Sequence, residues 1–320
     1  MPPSYRLVFL ALVLSAAGAV MNPMPARSEI SESGSGAGFV SGMATVNGAA
    51  LHYVRGGHGP AVILLHGFPQ DWLEYRSIMP ELAEHFTVVA VDLRGVGGSK
   101  ATDGGYDSVN LAADIKQLTD ELRLDRPYIV GHDLGGQVAF AFVQHYPDAV
   151  RGAMILDSAL PGIAGWQESL SGPSVWHVGF MQVPGLAEQL VDGRQAAFLG
   201  YFFQFAKFTP EEQRHYLAAY SSPAQLRAAF EMYRAFPANE HAGSAKRGPN
   251  PTPVVVATGE KSPFASLAPK MVDDLRNQGF ANAEAVSIPG AVHYVVEDAP
   301  KAVAELIEAH AGRAFSGADR

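Results

Sequence analysis

One stretch of the chain, residues 130–138, reads VGHDLGGQV. It follows the apolar run PYI and opens a segment whose apolar residues have helical spacing. A small residue two positions before a nucleophile and a glycine two positions after it allow a sharp strand-to-helix turn, the nucleophile elbow, whose central residue is most often serine. Here Asp133 stands between Gly131 and Gly135. The stretch therefore predicts a strand, a tight turn and a helix, with a carboxylate at the turn.

The same alternation of buried strand and helix extends along most of the chain. Continuous apolar runs, typical of strands buried on both faces, occupy residues 61–67, 86–92, 127–133, 151–157, 253–259 and 283–290. A hairpin with Asn47-Gly48 at its turn is predicted at residues 44–54. Strands that alternate with helices form parallel sheets covered on both faces, so we predict an α/β fold with a mostly parallel sheet.

The alternation stops between residues 160 and 248, where helical stretches and aromatic residues replace the strands. We interpret residues 160–248 as a helical cap inserted into a core of residues 43–159 and 249–320. Residues 1–26 have the pattern of a signal peptide, with Arg6 ahead of the apolar run 7–21. The Ser- and Gly-rich residues 27–42 are interpreted as a linker. The expectation is export to the periplasm or the extracellular space, with an uncleaved membrane anchor as the alternative.

Composition limits the possible partners. The chain of 320 residues has a formal net charge of −9, which argues against nucleic acid or an anionic membrane as the partner. It contains no cysteine, so disulfides and thiolate metal sites are excluded. No metal-ligand pattern and no nucleotide-binding loop is recognisable, and we therefore expect neither a metal nor a cofactor.

Three further features fall where an elbow nucleophile needs them. The motif HGFP, residues 66–69, follows the first buried run, and the backbone N–H groups of Phe68 and Leu134 are predicted to form an oxyanion hole. His293 follows the last predicted strand and is the candidate general base. The acid that orients it is Asp157, at the end of the run MILD, or alternatively Glu260, after the run VVVATG.

An aspartate nucleophile suits a particular chemistry. With a reference pKa of about 3.9, aspartate is ionised at neutral pH and needs no base in order to attack. Displacement at a saturated carbon, as in an epoxide or a carbon–halogen bond, leaves an ester of the aspartate itself. Water activated by His293 would then cleave the ester while the oxyanion hole stabilises the developing charge.

From about residue 43 to 312 the chain resembles the α/β-hydrolase family. The motifs HGFP, DLRGVGGS (92–99), GHDLGG and GAVHYV are similar to those of the branch that holds epoxide hydrolases and dehalogenases. In most epoxide hydrolases two cap tyrosines hold the epoxide oxygen; here SVWHVGF supplies His177 and FEMYRAF supplies Tyr233. This pair resembles the Cif-type bacterial epoxide hydrolases. That resemblance implies an exported enzyme, favours Asp157 as the acid and suggests a homodimer.

No basic clamp is evident near the nucleophile, so a neutral, apolar epoxide fits better than a small acid, and a small apolar epoxide is the expected substrate. The residues expected to contact it are His66, Phe68, Leu134, Trp176, Val178 and Phe180. A dehalogenase on the same scaffold is the alternative. Against it, Leu134 stands where fluoroacetate dehalogenases carry an arginine and haloalkane dehalogenases a tryptophan, and Val178 stands where the former carry a halide-binding tryptophan. Trp176 could donate to a halide or pack in the cap, and a non-catalytic binding module is the third hypothesis.

Overall fold

The computed structural model describes residues 38–245 and 248–317. Within these residues eight strands form one sheet in the order β1-β2-β4-β3-β5-β6-β7-β8. The first two pairings, β1 with β2 and β2 with β4, are antiparallel, and the others are parallel. The predicted α/β fold is confirmed. The strands are β1 (Val40–Val46), β2 (Ala49–Gly57), β3 (Ala61–Leu65), β4 (Thr87–Val91), β5 (Tyr128–His132), β6 (Gly152–Leu156), β7 (Val254–Gly259) and β8 (Ala283–Ile288).

Helices cover both faces of this sheet and form the segment between β6 and β7. A short 3-10 helix, Trp72–Tyr75, follows β3. The α-helices are α1 (Met79–Leu82), α2 (Ser108–Glu121), α3 (Leu134–His145), α4 (Trp166–Ser169), α5 (Trp176–Gln182), α6 (Leu186–Val191), α7 (Gln195–Phe203), α8 (Pro210–Ala219), α9 (Pro223–Arg234), α10 (Phe236–Gly243), α11 (Ala268–Asn277), α12 (Val295–Asp298) and α13 (Pro300–Ser316). None of the helices in the described ranges has both the length and the apolar character needed to cross a membrane.

The continuous apolar runs form the central strands because both of their faces are buried. All residues of β3, β4, β5, β6 and β7 are buried. Side chains alternate along a strand, so Ile63 and Leu65 join the core under α2, α3 and α11, while Val62 and Leu64 join the core under α1 and α13. Burying each such side chain contributes roughly 1.5–3 kcal/mol, which fixes the strand ends that carry the site.

The helices α4–α10 lie between β6 and β7, in the range that the sequence assigns to a cap. They are fixed to the loop after β3 by polar contacts. Tyr220 donates its hydroxyl to the carbonyl of Gln70 at 2.8 Å, and His215 Nε2 lies 2.7 Å from Asp71 Oδ2. Because that loop also carries Phe68, these contacts place the cap above the elbow.

The first strand begins earlier in the chain than predicted. β1 begins at Val40, inside the predicted linker, because it pairs with β2 from Val40 opposite Arg55 onwards. Between β3 and β4 the chain forms the 3-10 helix and then α1, which has a proline in its first turn. The side chain of Asp107 caps α2 by accepting the N–H of Asn110 at 2.9 Å. The predicted signal peptide and most of the linker, residues 1–37, lie outside the described residues.

Candidate active site

The elbow at the end of β5 holds Asp133 in a conformation that ordinary residues seldom adopt. Asp133 has φ 47° and ψ −115°, a sparsely populated region that costs on the order of 1–3 kcal/mol and is typical of functional sites. The flanking glycines make the turn possible. A Cβ on Gly131 would lie 2.1 Å from the carbonyl oxygen of Gly135, and one on Gly135 would lie 2.2 Å from that of Leu65. The turn therefore places the Asp133 side chain just beyond the C-terminal ends of the parallel strands.

The loop after β3 lies directly against this carboxylate. The backbone N–H of Phe68 donates to Asp133 Oδ1 at 3.0 Å. A Cβ on Gly67 would lie 2.6 Å from Asp133 Cβ, so only glycine allows the loop this close. Leu134 is the first residue of α3, and the first N–H groups of a helix have no partner within it. The two predicted oxyanion donors thus belong to backbone segments that meet at Asp133.

Of the two candidate acids, Asp157 contacts His293. Asp157 is fully buried, and its Oδ2 lies 2.8 Å from His293 Nδ1. The N–H of Gly259 donates to Oδ1 at 2.9 Å, and the hydroxyl of Ser262 donates to Oδ2 at 2.7 Å. A carboxylate so bonded holds the proton of His293 on Nδ1 and leaves Nε2 free to accept another. The Glu260 carboxylate instead accepts the N–H of Gly290 at 2.8 Å.

The cap brings His177 and Tyr233 together above the loop that holds Asp133. Their ring centroids are 5.9 Å apart, and Tyr233 lies 5.6 Å from Phe68 in an edge-to-face contact. Burial, with the charge of Asp133, raises the pKa of Tyr233 well above its usual value. Burial lowers the pKa of His177 to about 4, although the Asp133 charge acts in the opposite direction. Both side chains are therefore neutral at neutral pH and carry a proton that they can donate.

His177 also has an unused polar atom. Its Nδ1 is buried and has no hydrogen-bond partner among the described residues. A buried nitrogen without a partner costs about 1–3 kcal/mol, so its persistence calls for a functional reason. A ligand oxygen between His177 and Tyr233 would provide that partner.

The remaining predicted substrate contacts are divided between two regions. His66, Phe68 and Leu134 line a gap beside the elbow that is too narrow to hold a water molecule, together with Gly67, Leu93, Val96, Tyr220, Ala229 and Met232. Both nitrogens of His66 are already bonded to backbone, since Nε2 accepts from Leu93 N–H and Nδ1 donates to the carbonyl of Gly67, each at 3.0 Å. His66 can therefore offer a substrate its ring surface only.

Trp176, Val178 and Phe180 lie on α5. Val178 is buried, whereas Trp176 is 40% exposed. The Trp176 ring contacts Phe180 at 5.8 Å and Phe198 at 6.2 Å between centroids. Trp176 and Phe180 on α5 and Phe198 on α7 form an aromatic wall near His177, and for Trp176 the structure shows cap packing.

Sequence reasoning missed three polar residues behind the site. Ser262 supports Asp157, and Glu74 and His132 form a buried ion pair beneath the elbow. Glu74 lies in no recognisable motif. Its contact with His132 forms only because the loop after β3 folds back under β5. His132 did carry a signal, since it stands next to Asp133. Among the described residues no cluster of His, Cys, Asp and Glu side chains could hold a metal ion.

Comparison with known proteins agrees with this geometry. A model of the alpha/beta hydrolase fold family matches residues 60–300. The soluble epoxide hydrolase of Corynebacterium sp. (strain C12) is 31% identical over 271 residues, which cover 81% of this chain and 93% of that protein. The fluoroacetate dehalogenase of a Burkholderia species is 32% identical over 212 residues, 62% of this chain and 69% of that protein.

A solved structure extends the likeness to the backbone. The crystal structure of Cfl2 from Burkholderia cenocepacia has a TM-score of 0.77 and 29% sequence identity, covering 85% of this chain and 96% of that one. The family match spans more than half of the chain, and the strand order, the elbow and the inserted helices agree with it. The chain belongs to the α/β-hydrolase family and is an enzyme of its epoxide hydrolase branch.

Proposed function

We propose that this enzyme hydrolyses epoxides to vicinal diols through a covalent ester of Asp133. The observation that carries the proposal is the arrangement of two neutral donors, His177 and Tyr233, above the loop whose N–H group holds the Asp133 carboxylate. A carboxylate on one side and two donors on the other match the two ends of a carbon–oxygen bond that opens. The epoxide hydrolases among the relatives support the same conclusion.

In the first step an oxygen of Asp133 attacks one epoxide carbon. The new carbon–oxygen bond forms as the ring carbon–oxygen bond breaks, and negative charge develops on the ring oxygen. His177 and Tyr233 donate hydrogen bonds to that oxygen, and one of them supplies the proton that makes it a hydroxyl. Fixed donors at the point where charge develops lower the barrier in a buried site.

In the second step water hydrolyses the ester. His293 accepts a proton at Nε2, because Asp157 holds the other proton on Nδ1. The hydroxide adds to the carbonyl carbon of the Asp133 ester, and the N–H groups of Phe68 and Leu134 hold the resulting oxyanion. Collapse of this intermediate breaks the bond from the acyl carbon to the diol oxygen, which takes the proton from the His293 imidazolium. The Asp133 carboxylic acid then loses its proton, and the cap donor that protonated the ring oxygen regains one, so both groups return to their starting states.

The walls of the site favour a neutral, apolar epoxide. The aromatic side chains of Phe68, Phe198 and Phe202 pack edge to face near His177. The buried Arg94 is already paired with Asp114 at 2.6 Å and is not available to bind a substrate carboxylate. Apolar walls with a few convergent polar groups are typical of sites for uncharged small molecules.

Dehalogenation is the second candidate, and its support is the likeness to a fluoroacetate dehalogenase. Halide displacement by Asp133 would use the same nucleophile, and His177 with Tyr233 would bind the leaving halide instead of protonating an alkoxide. The two functions differ in their products. A panel of aryl and alkyl epoxides, haloalkanes and fluoroacetate should give diol from epoxides. Free halide without diol would replace the first proposal with the second.

The covalent step is tested in water labelled with oxygen-18. With enzyme in excess over an epoxide, a single turnover should transfer an unlabelled oxygen from Asp133 to the diol and leave the label in a peptide containing Asp133. Mass spectrometry of both products measures this. Label in the diol after one turnover would show direct attack by water and contradict the ester mechanism.

A further inference from the structure

A buried ion pair lies beneath the elbow and takes no part in the steps above. Glu74, on the 3-10 helix after β3, is 3% exposed, and His132, at the end of β5, is fully buried. His132 Nδ1 lies 3.1 Å from Glu74 Oε1. The contact lacks hydrogen-bond geometry, so the interaction is mainly electrostatic. Charged groups are buried in proteins only when they are paired, which indicates that this pair has a role.

The other nitrogen of His132 fixes the protonation of the ring. His132 Nε2 lies 2.9 Å from the carbonyl oxygen of His293. A carbonyl only accepts, so Nε2 carries a proton. With Nδ1 facing a carboxylate, the ring is an imidazolium. Burial pulls the pKa of His132 down, but the charge of Glu74, with smaller contributions from Asp133 and Glu297, outweighs it and raises the pKa to about 10.

Glu297, on α12, is the other acidic side chain near the pair that the chemistry above does not use. Gln70 Nε2 donates to its Oε1. Burial, and then the charge of Glu74, raise the pKa of Glu297 well above its usual value. The ring of Tyr294 closes the cluster at 6.1 Å from that of His132. Glu74 is the carboxylate in direct contact with His132 Nδ1 and makes the largest electrostatic contribution to the raised pKa of His132.

The pair connects the two halves of the active site. Glu74 Oε2 accepts the N–H of Gly67 at 3.0 Å, and Gly67 directly precedes Phe68, whose N–H holds Asp133. On the other side His132 holds the backbone of His293. The ion pair therefore links the turn that carries Phe68 to the loop that carries His293.

We propose that Glu74 and His132 are positioning residues that hold the His293 loop and the Phe68 turn at a fixed separation around Asp133. The proposal rests on the epoxide hydrolase function above. Ester hydrolysis needs His293 correctly placed relative to the Phe68 turn, whereas alkylation uses the Asp133 carboxylate, the Phe68 N–H that holds it and the cap donors, but not His293. Loss of the His132 donor should therefore slow the second step more than the first, because small displacements of a general base cost rate steeply.

The test compares two double variants that share Glu74→Gln and differ only in the residue at position 132. Glu74→Gln removes the buried charge in both, and its amide oxygen can still accept from Gly67. The second change is His132→Gln, which keeps an N–H donor, or His132→Met, which has none. Single-turnover kinetics with an epoxide separate the alkylation rate from the hydrolysis rate, and thermal melts of both variants measure their stability.

We expect ester hydrolysis to be on the order of 10-fold slower in Glu74→Gln/His132→Met than in Glu74→Gln/His132→Gln, with alkylation rates within about 3-fold of each other. Equal hydrolysis rates, or equal losses in both steps, would overturn the proposal. If the wild-type enzyme forms no ester at all, the proposed function fails instead. In that case nitrogen-15 NMR decides the arrangement: both His132 nitrogens should stay protonated up to about pH 9, and a neutral ring at about pH 8 would refute the ion pair.

Discussion

Asp157 Oδ2 lies 2.8 Å from His293 Nδ1, although 136 positions separate the two residues in the chain. The contact forms because Asp157 directly follows β6, which is adjacent in the sheet to β7, and His293 lies beyond β8. Asp157 has a positive φ of 42°, which turns its side chain off the strand end towards the loops. The carboxylate that contacts His293 thus follows the strand before the inserted cap.

This relationship predicts opposite outcomes for two carboxylate substitutions. Asp157→Asn should slow ester hydrolysis by on the order of 10⁴-fold, because an amide does not hold the proton on His293 Nδ1 or stabilise the imidazolium. Glu260→Gln, the matched control, should leave the rate within about 2-fold, since its carboxylate bonds to Gly290 and not to His293. Single-turnover kinetics on folded variants measure both. The reverse ranking would move the acid to the later strand.

Removal of one cap hydroxyl should act on ring opening. Tyr233→Phe takes away a single donor and almost no volume, so kcat should fall by about 10²–10³-fold while KM changes little. His177→Tyr should retain part of the activity, because tyrosine also donates to oxygen. Steady-state kinetics with an epoxide check both variants. Wild-type turnover by Tyr233→Phe would remove the ring-opening role from this pair.

The low pKa of His177 predicts a pH-dependent stability. In the folded protein this pKa is about 4, while an unfolded histidine titrates near about 6.5. Between these values the unfolded state binds more protons, so acidification through this window destabilises the fold. From about pH 7 to about pH 4.5 the wild type should lose about 2 kcal/mol more unfolding free energy than His177→Gln. Urea unfolding at several pH values measures the difference, and parallel profiles would contradict it.

The elbow glycine predicts a stability cost of its own. Gly131→Ala places a methyl group 2.1 Å from a backbone oxygen, so the free energy of unfolding should fall by about 1–3 kcal/mol. Gly312→Ala is the control, because a Cβ at that position in α13 meets nothing within 4 Å. A helix-interior change of this kind should stabilise by about 0.5–1 kcal/mol. If Gly131→Ala and the wild type unfold at the same urea concentration, the elbow must relax to accommodate the methyl group.

Export remains a prediction from the first residues of the sequence. The basic Arg6 and the apolar run 7–21 predict removal of a signal peptide. Mass spectrometry of protein from the native host should find a mature N-terminus between about residues 20 and 29. Soluble exported protein that retains Met1 would contradict this.

Much of the fold follows from local pattern. Apolar runs as long as a strand, separated by helical spacing, require a sheet covered on both faces, because each run must bury two sides. The elbow could also be predicted from local pattern. Its tight turn requires Gly131 and Gly135, which lie within five consecutive positions of the chain. The sequence by itself therefore determined the sheet, the inserted helical segment and Asp133 as the residue at the turn.

Contacts between distant segments were decided only by the tertiary structure. The sequence left Asp157 and Glu260 as alternatives, and the strand order brought Asp157 to His293 while Glu260 turned to Gly290. His132 stands next to Asp133 in the sequence, but no local pattern pairs it with Glu74. The energy of this ion pair comes from burial, and burial depends on how a loop after β3 packs beneath β5, which no run of neighbouring residues encodes.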